Sequence, residues 1–422
     1  MALRAVIFGL EGILIKGGEG DPKTGLASER RGSIVKGIRE LFDFLRMNDI
    51  RPIVLSNRDW QIVNRETGAR TTIDKRLETL YGTHTLYVAQ RGDVPFKPSR
   101  ESISRVLELQ NLSASEVVFV GMSERDFRTA LQSKILFMNA TWDRQETSYG
   151  FVFDSPQAIK RFIELFGLKA HHWFYQIDSP IRYRSLAPFS TYKEDYRVYS
   201  EAARNAAKIG TPERRFFLYS LVASLYFTDL IKDIGYIACV PGHEKGYGNA
   251  QMDDVLRIVG QTFGARYLPD LVVRHTDAPS QREERNSGRV PIPVTQMNSL
   301  RLNKFPLKIG KERYKNPIPL KGNKVLIFDD FTTNGFSFEA TRLCLAQAGA
   351  DALLVSWLKT INRDYTVLRV TRDFDPFEKN VFSEAEIKER ALTYRTYVVD
   401  SDAPTELAES LKRFRAFEKK KA

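Results

Sequence analysis

The chain has 422 residues, 42% hydrophobic and 27% charged, too long for one hydrophobic core and matched in composition to ordinary globular proteins of two or three domains. No apolar run approaches the roughly 20 residues that span a bilayer, and the apolar start meets Gly9 and Glu11 before a signal-peptide core forms. The net charge of +12 is concentrated: twelve Lys/Arg face four Asp/Glu between Val272 and Lys324, and six face one between Leu411 and Ala422. Short apolar runs at Ala5–Phe8, Pro52–Leu55, Val117–Val120 and Ile135–Met138 read as buried parallel strands. Helical patterns at Ile34–Arg46, Ser99–Leu109, Phe127–Gln132 and Pro156–Phe166 alternate with them, and Gly167 is a stop signal. This alternation predicts a doubly wound α/β sheet.

Past His171 the pattern changes. Residues 172–206 are aromatic and charged with little periodicity, which places a domain boundary near residue 168. A helix is expected over Arg214–Ile231, a strand over Tyr236–Val240 and a helix over Ala250–Gly264. Residues 276–323 form a long, basic, Pro-interrupted connection, which reads as a functional flap or a disordered segment. Strand Lys324–Phe328, helix Phe338–Ala348 and strand Ala352–Trp357 follow. Lys419-Lys420-Lys421 ends a basic segment read as a solvated, flexible tail. Cys239 and Cys344 lie in apolar runs, lack metal-ligand spacing and make no disulfide framework, so a cytoplasmic setting is expected.

Two segments carry chemistry. In Val325–Ser337 a buried strand meets Asp329 and Asp330, and Thr332, Thr333, Asn334, Gly335, Phe336 and Ser337 then lead into a helix. Ionised carboxylates accept from the two donors of a vicinal diol, and backbone amides at a helix start suit a phosphate. Diol recognition followed by phosphate recognition describes a ribose 5-phosphate. Here the chain resembles the type I phosphoribosyltransferases, whose signature is an apolar strand, two acidic residues and a Thr/Gly/Ser loop; Asn334 and Phe336 depart from it. A second strand-loop-helix, Ala238–Ala250, holds Gly242, His243, Lys245 and Gly246, and resembles the competence-factor F (amidophosphoribosyltransferase-like) branch. His243 reads equally as a loop-lining polar group or a solvent-exposed bystander.

The resemblance implies a loop for the diphosphate leaving group, with Lys245 stabilising developing charge. It implies Mg²⁺ bridging phosphoribosyl diphosphate, with Asp329 and Asp330 supporting the ion through water. It also implies a basic flap with Arg274, Arg282, Arg285 and Arg289 closing over the polyphosphate.

Residues 1–167 resemble the haloacid-dehalogenase-like (HAD) hydrolases. The first motif reads Val6-Ile7-Phe8-Gly9-Leu10-Glu11-Gly12, the second ends at Ser56, the third supplies Lys97, and the fourth is Gly121-Met122-Ser123-Glu124-Arg125-Asp126. Gly9 stands where that family has its nucleophilic aspartate, Glu11 replaces its acid/base aspartate, and Met122 replaces a metal-supporting carboxylate. Ser56, Lys97 and Asp126 match. The reading is a catalytically inactive scaffold.

The expected fold class is therefore α/β with two doubly wound domains. A HAD-like domain at 1–167 precedes a type I phosphoribosyltransferase fold at 168–400, and a basic tail fills 401–422. The leading expectation is Mg²⁺-dependent transfer of ribose 5-phosphate from phosphoribosyl diphosphate to a nucleobase, nucleotide, nucleic acid or protein. Two alternatives stay open. One is a non-catalytic sensor of a phosphoribosyl compound or nucleotide. The other is a nucleic-acid-associated module acting through 272–324 and 411–422, by analogy with bacterial defence systems that join degenerate hydrolases to nucleotide-handling domains. A protein partner or homo-oligomer is also compatible with the scaffold reading.

Overall fold

The computed structural model describes residues 3–15, 20–21, 26–29, 35–64, 67–278, 292–309 and 312–419. The chain forms two compact units, residues 1–170 with 225–232, and residues 171–224 with 233–422.

The first unit is built on a six-stranded parallel sheet. Its strands are β1 (Ala5–Gly9), β2 (Arg51–Ser56), β3 (Thr85–Val88), β4 (Val117–Gly121), β5 (Leu136–Ala140) and β6 (Val152–Phe153). They lie in the order β6-β5-β4-β1-β2-β3. β1, β4 and β5 are buried along their whole length, which is why they read as continuous apolar runs. Helices α1 (Ile38–Met47), α2 (Ile73–Tyr81), α3 (Arg100–Gln110), α4 (Glu124–Gln132) and α5 (Pro156–Phe162) complete the crossovers. Ser123 caps α4 and Asp126 closes the capping box, so this helix begins three residues before its first apolar residue, Phe127.

In the second unit, β7 (Tyr175–Ile177), β8 (Arg182–Phe189), β9 (Ile234–Cys239), β11 (Arg266–Tyr267), β14 (Lys324–Thr332) and β15 (Asp351–Thr360) form a sheet. Their order is β7-β8-β15-β14-β9-β11. Only the edge strand β7 runs antiparallel to its neighbour. Helices α6 (Glu194–Lys208), α7 (Arg214–Phe227), α8 (Ala250–Phe263) and α10 (Phe336–Gln347) connect the strands.

Three expectations change. Residues 172–206 hold β7, the long strand β8 and α6; Arg182, Arg184, Ser185 and Pro188 hide β8 from a search for apolar runs. The basic connection holds α9 (Pro293–Met297) and β13 (Leu300–Leu302), and β13 joins the earlier β10 (Gly246–Tyr247) and β12 (Val272–Arg274) in an antiparallel sheet. The described part of the basic tail is the end of helix α11 (Ala403–Lys419), which buries Leu407, Leu411 and Phe414. That apolar stripe at helical spacing is what the charge count obscured. A ribbon of β16 (Tyr365–Val370) and β17 (Ile387–Leu392) precedes α11. Among the described residues no helix is long and apolar enough to cross a membrane.

Candidate functional site

In the second unit, β9 and β14 are adjacent and parallel, so the loops that follow them emerge at the same sheet end, where open α/β sheets take ligands. β9 stops pairing at Cys239, opposite Phe328, whereas β14 continues along β15 as far as Thr332 opposite Lys359. Asp329 and Asp330 thus lie within β14, just beyond the last residue of β9. The sequence reading ended the strand at Phe328; the correction follows from β15, which extends to Thr360 and supplies ladder partners for the longer strand.

Asp330 is buried, with Oδ2 2.5 Å from Nζ of Lys208 at the end of α6. Asp329 Oδ1 accepts a 2.8 Å hydrogen bond from the Asp330 amide. Burial, and then the neighbouring Asp330 charge, hold the Asp329 carboxyl well above the usual carboxylate range.

Thr333–Gly335 connect β14 to α10. Gly335 has φ +85°, and a Cβ on it would lie 2.4 Å from the Tyr365 ring, so glycine is required by both conformation and space. The loop is held from several sides. Thr333 Oγ1 is 3.1 Å from Thr360 Oγ1, and the Asn334 carbonyl accepts from the Thr366 amide at 2.9 Å. Ser337 Oγ donates to Gln296 Oε1 at 3.0 Å. Lys359, fully buried, donates to the carbonyls of Thr333 and Arg363, each at 2.6 Å, and lies 5.5 Å and 5.7 Å from the ring centres of Tyr175 and Tyr394. Burial draws its amine down to about 7, Asp364 opposing and Arg363 adding to the shift. Thr332 and Phe336 are buried.

The other loop is open. Gly242, His243, Glu244 and Lys245 are exposed. Asp277 Oδ1 accepts from the Lys245 amide at 2.6 Å, the His243 carbonyl accepts from Ala278, and Gly246 pairs with Arg274 across β10 and β12. Arg274, expected on a mobile flap, is instead 1% exposed. Its Nε donates to the Gly242 carbonyl at 2.5 Å, Nη1 to Ser299 Oγ, and Nη2 to Gln296 Oε1 at 3.0 Å. Strand β12 turns the side chain inward, and burial lowers the guanidinium to about 10. Arg282, Arg285 and Arg289 lie outside the described residues.

Lys208, Gln296 and Lys359 went unnoticed in the sequence. Only Lys359 left a signal there, as a lone lysine at the end of the run Leu353–Leu358.

In the first unit, β1 ends at Gly9, which offers no side chain. Lys97 Nζ lies 2.5 Å from Asp126 Oδ1, with only 8% and 7% of the two side chains exposed. Asp126 Oδ2 accepts from Ser123 Oγ at 2.9 Å. Burial raises the Asp126 carboxyl, but Lys97 and the Ser123 hydrogen bonds outweigh it, so the group sits below the ordinary range. Met122 is buried against Gly12, where an added Cβ would meet its methyl at 2.0 Å. Ser56 Oγ donates to the Arg58 carbonyl, and Glu11 accepts from Trp60 Nε1 at 3.1 Å. Among the described residues no three His, Cys, Asp or Glu side chains converge as metal ligands.

No protein-family model matches the chain, and no curated protein does. Solved structures resemble part of it. A HAD-superfamily hydrolase of subfamily IA from Geobacter sulfurreducens is 18% identical, with 37% of this chain and 98% of that one covered and a TM-score of 0.28. A HAD-superfamily hydrolase from Ehrlichia chaffeensis is 20% identical over 38% and 96%, with the same TM-score of 0.28. The cobalt-bound deoxy-D-mannose-octulosonate 8-phosphate phosphatase from Haemophilus influenzae is 15% identical over 38% and 87%, also at 0.28. The likeness lies over the N-terminal part of the chain. The first unit is itself an α/β fold with a parallel six-stranded sheet.

Proposed function

We propose that the second unit binds phosphoribosyl diphosphate and transfers its ribose 5-phosphate to an acceptor, while the first is a HAD-like scaffold without phosphatase activity. The observation that carries this reading is the placement of Asp329 and Asp330 between two strand-loop-helix turns on adjacent parallel strands. The ribose hydroxyls donate to the two carboxylates. The 5-phosphate lies against the first amides of α10, which have no partner within the helix and sit at its positive dipole end. The diphosphate lies along Gly242–Lys245, where the exposed Lys245 meets the charge that grows as the bond to the anomeric carbon breaks.

Two carboxylates suffice for Mg²⁺ when the ligand supplies phosphate oxygens, and Asp329 and Asp330 would hold it, through water; bound there it would neutralise the departing diphosphate. Each residue then has one task. The Asp pair orients the ribose, the α10 turn anchors the phosphate, and Lys245 stabilises the leaving group. In the first unit, Gly9 offers no side chain to be phosphorylated at the end of β1, and Asp126 is closed in its pair with Lys97.

The test is incubation of the purified chain with ribose-labelled phosphoribosyl diphosphate, Mg²⁺ and a cell extract. Label should pass to a discrete acceptor with release of diphosphate. Label that stays on phosphoribosyl diphosphate in every extract, while the chain still binds it, would favour the sensor reading.

A further inference from the structure

Beyond β13 the chain folds back on itself as a short arm, residues 303–318. The Ile318 amide donates to the Lys304 carbonyl at 3.3 Å, the Tyr314 amide to that of Pro306 at 3.0 Å, and the Lys308 amide to that of Glu312 at 2.6 Å. Leu307 and Arg313 bridge in antiparallel fashion. One buried carboxylate pins the arm. Asp270, 1% exposed, accepts from the Leu307 amide at 2.5 Å and from Arg313 Nη1 and Asn303 Nδ2, each at 2.8 Å.

What the arm presents is positive and aromatic. From Leu300 to Lys321 seven Lys/Arg stand against one acid, Glu312. Arg313 is taken by Asp270, but among the described residues Lys304, Lys308 and Lys315 have no ion-pair partner. Lys304 Nζ lies 5.1 Å from the ring centre of Phe377, and Lys308 Nζ 5.3 Å from that of Tyr314. Both rings are half-buried, and Phe305 adds a third that is 40% exposed. Asp375 and Glu378 flank Phe377, and the Asp375 carboxylate accepts from the Phe377 amide at 2.9 Å.

Uncompensated lysines repel one another until an anion takes up their charge. A free phosphate or an acidic peptide would use the ammonium groups and leave the rings in water. An unpaired nucleic-acid strand uses both, because its phosphates meet the lysines and its bases offer faces that a duplex keeps stacked. The flexible lysine stem lets each ammonium turn to a phosphate as a base takes the ring beneath it. We propose that this arm, with Phe377 beside it, binds single-stranded nucleic acid. The proposal stands on the arm alone and does not need the ribose-phosphate reading of the site.

Fluorescence anisotropy of the full chain over a range of salt tests it. The probes are a labelled oligothymidylate of about 12 nucleotides, a duplex of equal length and polyglutamate. One variant combines Lys304→Gln, Lys308→Gln and Lys315→Gln; it should lower the salt slope for the single strand by about 2, at about 0.7 for each lost phosphate contact. A second combines Phe305→Leu and Tyr314→Leu, keeping apolar bulk but removing two ring faces; it should weaken binding about tenfold at an unchanged slope. A thermal melt accompanies each, and the lysine variant, altered at surface charges, decides the matter if the ring variant does not fold. A native chain that binds no single strand, or that holds the duplex or polyglutamate as tightly, would overturn the proposal. So would a native salt slope in the lysine variant, or native affinity in a folded ring variant.

Discussion

Lys208 Nζ lies 2.5 Å from Asp330 Oδ2, so the last residue of α6 supplies the counter-charge to a carboxylate inside β14. The lysine is half-exposed and also lies 5.9 Å from the Phe331 ring centre. Replacing it by Met strands the Asp330 carboxylate in a buried position. Solvent screening at the lysine end holds the cost to about 1 kcal/mol. Urea denaturation of Lys208→Met should show that loss, and a further Asp330→Asn change should recover most of it. Additive losses in the double variant would mean the two groups act separately.

The Lys97–Asp126 pair is a stronger case because both side chains are almost fully buried. Lys97→Met should cost about 3–5 kcal/mol by leaving a buried carboxylate alone, and Lys97→Met with Asp126→Leu should cost less. Asp126 titrates below the ordinary range, so its contribution is present above about pH 4 and fades as the pH falls through the folded value. Acid titration of the native chain should therefore lose stability at low pH more steeply than the double variant does. The native chain should not hydrolyse phosphomonoesters even with excess Mg²⁺, and rapid turnover would refute the scaffold reading.

Much of this frame was readable in the sequence where burial makes a strand apolar on both faces. Ala5–Phe8 and Val117–Val120 each fall one residue short of the observed strand. β8 was not readable, because Arg184 is buried there by hydrogen bonds to the Ile177 and Tyr183 carbonyls and an ion pair with Asp178. Those partners come from the fold. The same holds at the candidate site. Asp329, Asp330 and Gly335 announce themselves by spacing, whereas Lys208 and Gln296 meet it only through tertiary contacts from α6 and α9.

Gly335→Ala should fail for two separable reasons. Its φ of +85° is strained for any residue with a Cβ, and the new methyl would meet the Tyr365 ring at 2.4 Å. The combined cost is about 2–4 kcal/mol. Pairing it with Tyr365→Leu should recover the steric part and leave the backbone part. Urea melts of both variants read this, and a single variant of native stability would show that the turn is looser than described.

Lys359 gives stability a pH dependence. The unfolded chain keeps this proton to about pH 10.4, whereas the folded chain releases it above about 7, so unfolding takes up a proton in between. Stability contributed by this group therefore rises with pH across that window, by up to about 1.4 kcal/mol per unit. Lys359→Met should remove that rise while loosening the Thr333 carbonyl. Parallel stability curves for the native chain and the variant between pH 7 and 10 would contradict the assignment.

The most direct measurement is calorimetric titration of the full chain with phosphoribosyl diphosphate in the presence of Mg²⁺, beside the variant carrying Asp329→Asn and Asp330→Asn. The account predicts saturable binding to the native chain and a loss of roughly a hundredfold in the variant, two charge-assisted hydrogen bonds being removed from a fold that melts unchanged. Native affinity in the double variant, or no binding by the native chain, would contradict it.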